Sequence, residues 1–285
     1  MFRRDRSLRE TSRKISKRDP QILVAAVEAQ LARGARADVL EIGFGHGRAL
    51  LELACCFRNS SARFFGVDRT CEPPVECRAD LRALARAHGI ASEAELSALE
   101  LPEIFFYDAR ALHFADESMD LVYSAVTIRH VQHKAELLEE VARVLRPGGR
   151  ALLHIGEANW NHPYGRCDAA PRLTPYLNRF LIRFGDELVP LPAYLSLFEG
   201  EAFRFRWLPG SRCVLELSKL RRGRLALGLR LDPELSLPMR ELGYANAEGR
   251  AKGGFRSVYE AAPEHYRALF ERGILRRAEL RDATG

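Results

Sequence analysis

Three glycines at alternate positions follow an apolar run in Glu41-Ile42-Gly43-Phe44-Gly45-His46-Gly47-Arg48. Residues without a Cβ let a backbone turn tightly and approach a ligand closely. A helix starting beyond such a turn offers that ligand its unpaired N–H groups. The spacing is GxGxG, so the third glycine comes one residue early for the dinucleotide fingerprint, and a ligand without a pyrophosphate is expected. Asp68 ends Gly66-Val67-Asp68, 21 residues beyond Gly47, where a carboxylate can accept both hydroxyls of a ribose.

These residues need strands to carry them. Ile22, Leu23, Val27 and Leu31 recur at helical spacing before Gly34, which predicts an amphipathic helix over residues 20–33. Strands are expected at 38–42, 63–67, 103–107, 119–126 and 151–155, and helices at 49–57, 74–88 and 134–145, the last closed by Pro147-Gly148-Gly149. Strands alternating with helices of about a dozen residues mean βαβ units, hence an α/β fold with a parallel, doubly wound sheet. Ligands of such sheets lie at the carboxyl ends of the strands.

At 285 residues, 47% hydrophobic and 29% charged, the chain is long enough to bury a large core without staples. No apolar run reaches the roughly 18 residues of a membrane span. The N-terminus lacks the apolar segment of a secretory signal, so the cytoplasm is the expected location. Six cysteines at 55, 56, 71, 77, 167 and 213 show neither zinc-ligand nor disulfide spacing, so no metal is expected. The net charge is +6, and residues 1–19 hold eight basic against three acidic side chains. Any phosphate-binding surface is therefore expected on this basic arm, otherwise a solvated extension.

The run of motifs VLEIGFGHG, FFGVD, YDARALHFADESMDLVYSAVTIRHV and VARVLRPGGRALLHI resembles the class I S-adenosylmethionine-dependent methyltransferases, in their small-molecule branch. The resemblance covers residues 20–155. It returns weakly over 239–262, which resembles the closing helix, short strand and antiparallel last strand of that family. It implies a Rossmann-like sheet of about seven mainly parallel strands, with S-adenosylmethionine as cofactor. It also implies that Glu41 and the loop glycines hold the methionine part, Asp68 the ribose, and Asp108 with the Ala109 backbone the adenine edge, with Ser124 near the sulfonium. A cationic sulfonium without phosphates calls for carboxylates and backbone dipoles rather than a lysine cradle.

Methyl transfer from a sulfonium is an in-line displacement in which positioning and exclusion of water do most of the work. A general base is needed only where the acceptor loses a proton. His130, after the fourth strand, is the candidate base or acceptor contact, against the alternative of a helix-start residue. His154 reads as a buried, satisfied residue and His133 as solvated. Tyr107 and Glu157 also fall near strand ends on the acceptor side.

The domain reading is a basic arm over 1–19, a cofactor-binding core over 20–157, an insertion over 158–231, and closing core elements over 232–285. In the insertion, LTPYLNRFLIRF reads as a helix and FRFRWLPGSRCVLEL as a hairpin. Together they are expected to cap the acceptor site, the alternatives being a structural insertion or a homodimer face. Residues 263–280 read as a surface helix. The expected function is methyl transfer to O, N or C of a small or medium metabolite. The alternatives are an RNA methyltransferase recruiting its substrate through the arm, a non-catalytic nucleoside-binding protein, and a dinucleotide oxidoreductase, against which the glycine spacing argues.

Overall fold

A computed structural model describes residues 6–15, 21–69, 75–155, 180–185, 187–208, 214–241 and 253–274. Helices α1 (Arg6–Ile15) and α2 (Ile22–Leu31) precede β1 (Ala37–Ile42), α3 (Arg48–Cys56), β2 (Ala62–Asp68), α4 (Asp80–Ala87), α5 (Glu93–Ala98) and β3 (Glu103–Phe106). There follow β4 (Met119–Ser124), α6 (Lys134–Val144), β5 (Leu145–His154), β6 (Phe180–Phe184), β7 (Glu187–Pro190), α7 (Leu191–Leu195), β8 (Phe203–Trp207) and β9 (Val214–Lys219). The last elements are β10 (Arg230–Pro238), β11 (Phe255–Glu260) and α8 (Pro263–Glu271).

A seven-stranded sheet runs β3-β2-β1-β4-β5-β9-β8. Its strands are parallel except β9, which pairs antiparallel with both neighbours. The strand order reverses between β1 and β4, the switch point where such sheets open a crevice. All six residues of β1 are buried, as expected of a strand covered on both faces. Its Asp38 is kept charged by Arg36, Arg63 and Arg146 at 2.8, 2.8 and 2.9 Å.

The second half of the chain is arranged differently from the sequence expectation. The hairpin β8–β9, read as part of a cap, completes the main sheet beside β5. Strand β11, read as the last strand of the core, instead joins a separate four-stranded sheet, β10-β11-β6-β7. Residues 180–184, read as helix, form β6, parallel to β11 and antiparallel to β7. Phe180, Leu181 and Ile182 are all buried there, and an apolar run this short has no periodicity that separates helix from strand. Helix α6 ends at Val144, and β5 already begins at Leu145, ahead of the Pro-Gly-Gly turn.

Helix α1 corrects the picture of a wholly solvated arm. Leu8, Thr11, Ser12 and Ile15 are buried, and the Leu8 backbone N–H donates to Glu52 Oε2 at 2.6 Å. Cys55 is buried, which pushes its thiol up to about 12 and keeps it unreactive.

Candidate functional site

Parallel register brings the carboxyl ends of four strands together. Ile42 of β1 stands beside Val67 of β2, and Asp68 beside Phe106 of β3, so the segments leaving these strands meet at one edge. A cavity of about 490 Å3 opens there, and Gly43, Gly45, Asp68, Asp108, Ala109 and His130 all line it. The fold thus assembles six of the nine site residues expected from sequence.

The glycine loop is shaped by close contacts rather than by flexibility. Gly43 has φ of 75°, and a Cβ there would lie 1.7 Å from Thr127 Oγ1. Its N–H donates to Val67 O at 2.7 Å, and Thr127 Oγ1 donates to its carbonyl at 3.2 Å. Gly45, with φ of 53°, differs: no atom lies within 4 Å of a Cβ placed on it. The Gly45 N–H donates to Asp68 Oδ2 at 2.8 Å and the Arg69 N–H to Oδ1 at 2.7 Å. Asp68 therefore ties the loop to the end of β2 while each oxygen keeps acceptor capacity.

Asp108 Oδ2 accepts from Arg110 Nε at 3.0 Å, and Oδ1 accepts from the Arg110 backbone N–H at 3.0 Å. The Arg110 guanidinium holds this carboxyl below the usual carboxylate range. The carboxylate is thus charged and ready to accept a further donor.

Three expected residues stand behind the cavity wall. Glu41 is buried, and its Oε2 accepts from Tyr123 Oη at 2.8 Å. Burial pushes its carboxyl up to about 8, with the charge of Asp68 adding to the rise. Gly47 caps α3 with φ of 70°, and a Cβ there would meet Leu81 Cδ2 at 2.9 Å, so its role is packing. Ser124 is fully buried at the end of β4, and its hydroxyl has no hydrogen-bond partner among the described residues.

The acceptor side is built from the segment between β4 and α6 and from the second sheet. His130 is exposed at the cavity mouth, where its Nε2 accepts from Arg129 Nε at 3.0 Å. His133, expected in solvent, lines the cavity, with Nδ1 at 3.2 Å from Glu136 Oε1. Residues three apart at the start of α6 share a helix face, which brings the two together. Tyr107 is turned away: its hydroxyl accepts from the His113 N–H at 3.2 Å, and its ring stacks on His113. His154 is half-buried in β5, paired with Val214. Glu157 lies outside the described residues.

No local signal in the sequence marks how β11 holds this wall. Lys134 is fully buried and donates to Val131 O at 2.5 Å, Ser257 Oγ at 2.8 Å and Phe255 O at 3.3 Å. Tyr259 Oη donates to Gln132 O at 3.1 Å and accepts from the Ala135 N–H at 3.1 Å. Phe255 itself lines the cavity.

Comparison with known proteins bears on the same stretch of the chain. The family model described as "Methyltransferase domain" matches residues 40–153, the stretch that carries the glycine loop, Asp68, Asp108, His130 and His133. A demethylmenaquinone methyltransferase of Renibacterium salmoninarum is 29% identical over 60% of this chain and 66% of its own. One from Mycobacterium sp. (strain KMS) is 37% identical over 33% of this chain and 39% of its own. A methyltransferase structure from Methanosarcina mazei superposes with a TM-score of 0.42 at 22% identity, over 66% of this chain and 95% of its own. The chain spans between 15% and 66% of the length of the first curated relatives it matches. Over residues 40–153 the chain is similar to the methyltransferase domain of the S-adenosylmethionine-dependent methyltransferases.

Proposed function

We propose that this protein transfers the methyl group of S-adenosylmethionine to an O, N or C atom of a small or medium metabolite. The observation that carries the reading is one cavity lined by Gly43 and Gly45, Asp68, Asp108 and His130, from the ends of four neighbouring strands. The residues suit this cofactor: Gly45 leaves open space where a side chain would stand, two carboxylates face the cavity, and the glycine loop contains no lysine. The bound cofactor supplies an activated methyl group on a cationic sulfonium.

Asp68 accepts from the ribose hydroxyls, and Asp108 with the Ala109 backbone holds the adenine edge. The loop backbone at Gly43 and Gly45 borders the methionine part, with Glu41, Gly47 and Ser124 supporting it from behind. Acceptors bind between the 127–133 segment and Phe255 of β11, which together keep water from the reacting atoms. A proton leaving the acceptor passes to an imidazole. His133 suits this task, because in the tautomer whose Nδ1–H donates to Glu136 the Nε2 lone pair can take the proton. His130 contacts the acceptor, and it takes the proton in its place if Arg129 withdraws from Nε2.

Two relatives are named as demethylmenaquinone methyltransferases, so a quinol is the first acceptor class to try. The test is calorimetric titration with S-adenosylhomocysteine, using NADH as control, followed by transfer of labelled methyl to quinols, phenols and amines. Micromolar binding of the first compound alone is expected. Binding of NADH in its place would overturn the reading.

A further inference from the structure

The main sheet carries a second concave site at the opposite end from the glycine loop. On β9, Leu215 and Leu217 pack into the core beneath the second sheet, so Glu216 and Ser218 point to the other face. On β8, Phe203, Phe205 and Trp207 likewise take the apolar side and leave Arg204 and Arg206 on the polar one. Arg150 of β5 and Arg204 of β8 are both in register with Ser218 of β9, which sets the three in one row across the sheet. Arg33, just beyond α2, reaches over the row and donates to Gly148 O at 2.5 Å. A cavity of about 310 Å3 lies between Arg33, Arg150, Arg204 and Ser218.

The charges around this cavity do not balance. Its carboxylate, Glu216, is occupied by Arg206 through contacts of 2.9 and 3.1 Å. Lys219 is buried and turned inward to Ala142 O at 3.1 Å and Glu117 at 3.5 Å. Arg204 has no carboxylate partner among the described residues. Arg150 Nε is buried without a hydrogen-bond partner among them, and burial lowers this guanidinium from its ordinary value, opposed by the charge of Glu216 and reinforced by those of Arg206 and Arg33. A merely solvated basic face would let its arginines extend into water. Here the half-buried Arg150 has its Nε withdrawn from water with that donor unmet, an arrangement that an incoming acceptor oxygen relieves. The carbonyl of Gln30 at the end of α2 is already used by the Arg33 and Gly34 N–H groups at 3.0 and 3.2 Å.

We propose that Arg33, Arg150 and Arg204 form a second binding site, for a small molecule bearing an oxyanion, either phosphate or carboxylate. Guanidinium groups present planar, paired donors that match both anions, and the cavity accepts a molecule of a few such groups. The site shares no lining residue with the cavity at the glycine loop.

The test is calorimetric titration of the full chain with inorganic pyrophosphate and, separately, with citrate, at constant ionic strength. Saturable binding is expected, weakened about tenfold by Arg204→Gln and again by Arg150→Met, since each removes a charge-assisted hydrogen bond. Arg204 is exposed, so its variant keeps the test valid if Arg150→Met fails to fold. Saturation by pyrophosphate alone identifies a phosphate ligand and by citrate alone a carboxylate ligand. Absence of saturation with both probes, or unchanged affinity in Arg204→Gln and Arg33→Gln alike, would overturn the proposal.

Discussion

The Tyr123 hydroxyl donates to Glu41 Oε2 across 2.8 Å, and both side chains are withdrawn from solvent under the glycine loop. Burial raises the Glu41 carboxyl from 4.5 to about 8 in the folded chain. Below about pH 4.5 it is protonated folded and unfolded alike, and its contribution to stability is fully present. Between 4.5 and 8 the unfolded chain ionises while the folded chain resists, so that contribution is lost as pH rises. Glu41→Gln, which cannot ionise, should flatten the decline of thermal midpoint across this window. An identical slope in variant and parent would refute the protonated carboxyl.

The two cavity glycines should fail in different ways. Gly43→Ala drives a Cβ into the Thr127 side chain at a positive φ and should destabilise the fold by about 1–3 kcal/mol or more. Gly45→Ala meets no protein atom, so denaturation should show a modest loss near 1 kcal/mol from backbone strain alone. Its larger effect should be on affinity for S-adenosylhomocysteine. Equal damage to folding from both substitutions would contradict the distinction.

Asp68→Ala removes both the ribose acceptor and the brace on the Gly45 N–H. Cofactor affinity should fall by about 1–3 kcal/mol, read by titration of the folded variant. An unchanged dissociation constant would return Asp68 to a purely structural role.

His133 and His130 are separable by the kinetics of turnover. His133→Gln should lower kcat more than it raises KM if the acceptor must lose a proton, and Glu136→Gln should lower kcat in the same direction. His130→Ala should raise KM more than it lowers kcat. A fall in kcat only in His130→Ala would transfer the base to that residue.

Helix α1 contributes packing whatever else the basic arm does. Leu8→Ala or Ile15→Ala should cost about 2–5 kcal/mol in chemical denaturation, because both side chains are buried against the core. A truncation of residues 1–19 that left stability untouched would show that this contact is dispensable. The same truncation tests RNA recruitment through its salt-sensitive binding.

The first five strands, the glycine loop and the carboxylates at 68 and 108 were legible in the sequence alone. Each is a local pattern: an apolar run ended by glycine, or an acidic residue at a strand end, whose meaning depends on neighbours a few positions away. Tertiary structure decided the remainder. Phe180–Phe184 is apolar enough to be helix or strand, and only the open edge of β11 makes it a strand. The β8–β9 hairpin was visible locally, yet its place beside β5 depends on which sheet edge it meets. His133 reaches the cavity because Lys134 and Tyr259 fasten the start of α6 to β11, contacts spanning over 120 positions. The row Arg150, Ser218 and Arg204 exists only through strand register, which long-range packing sets and local periodicity cannot encode.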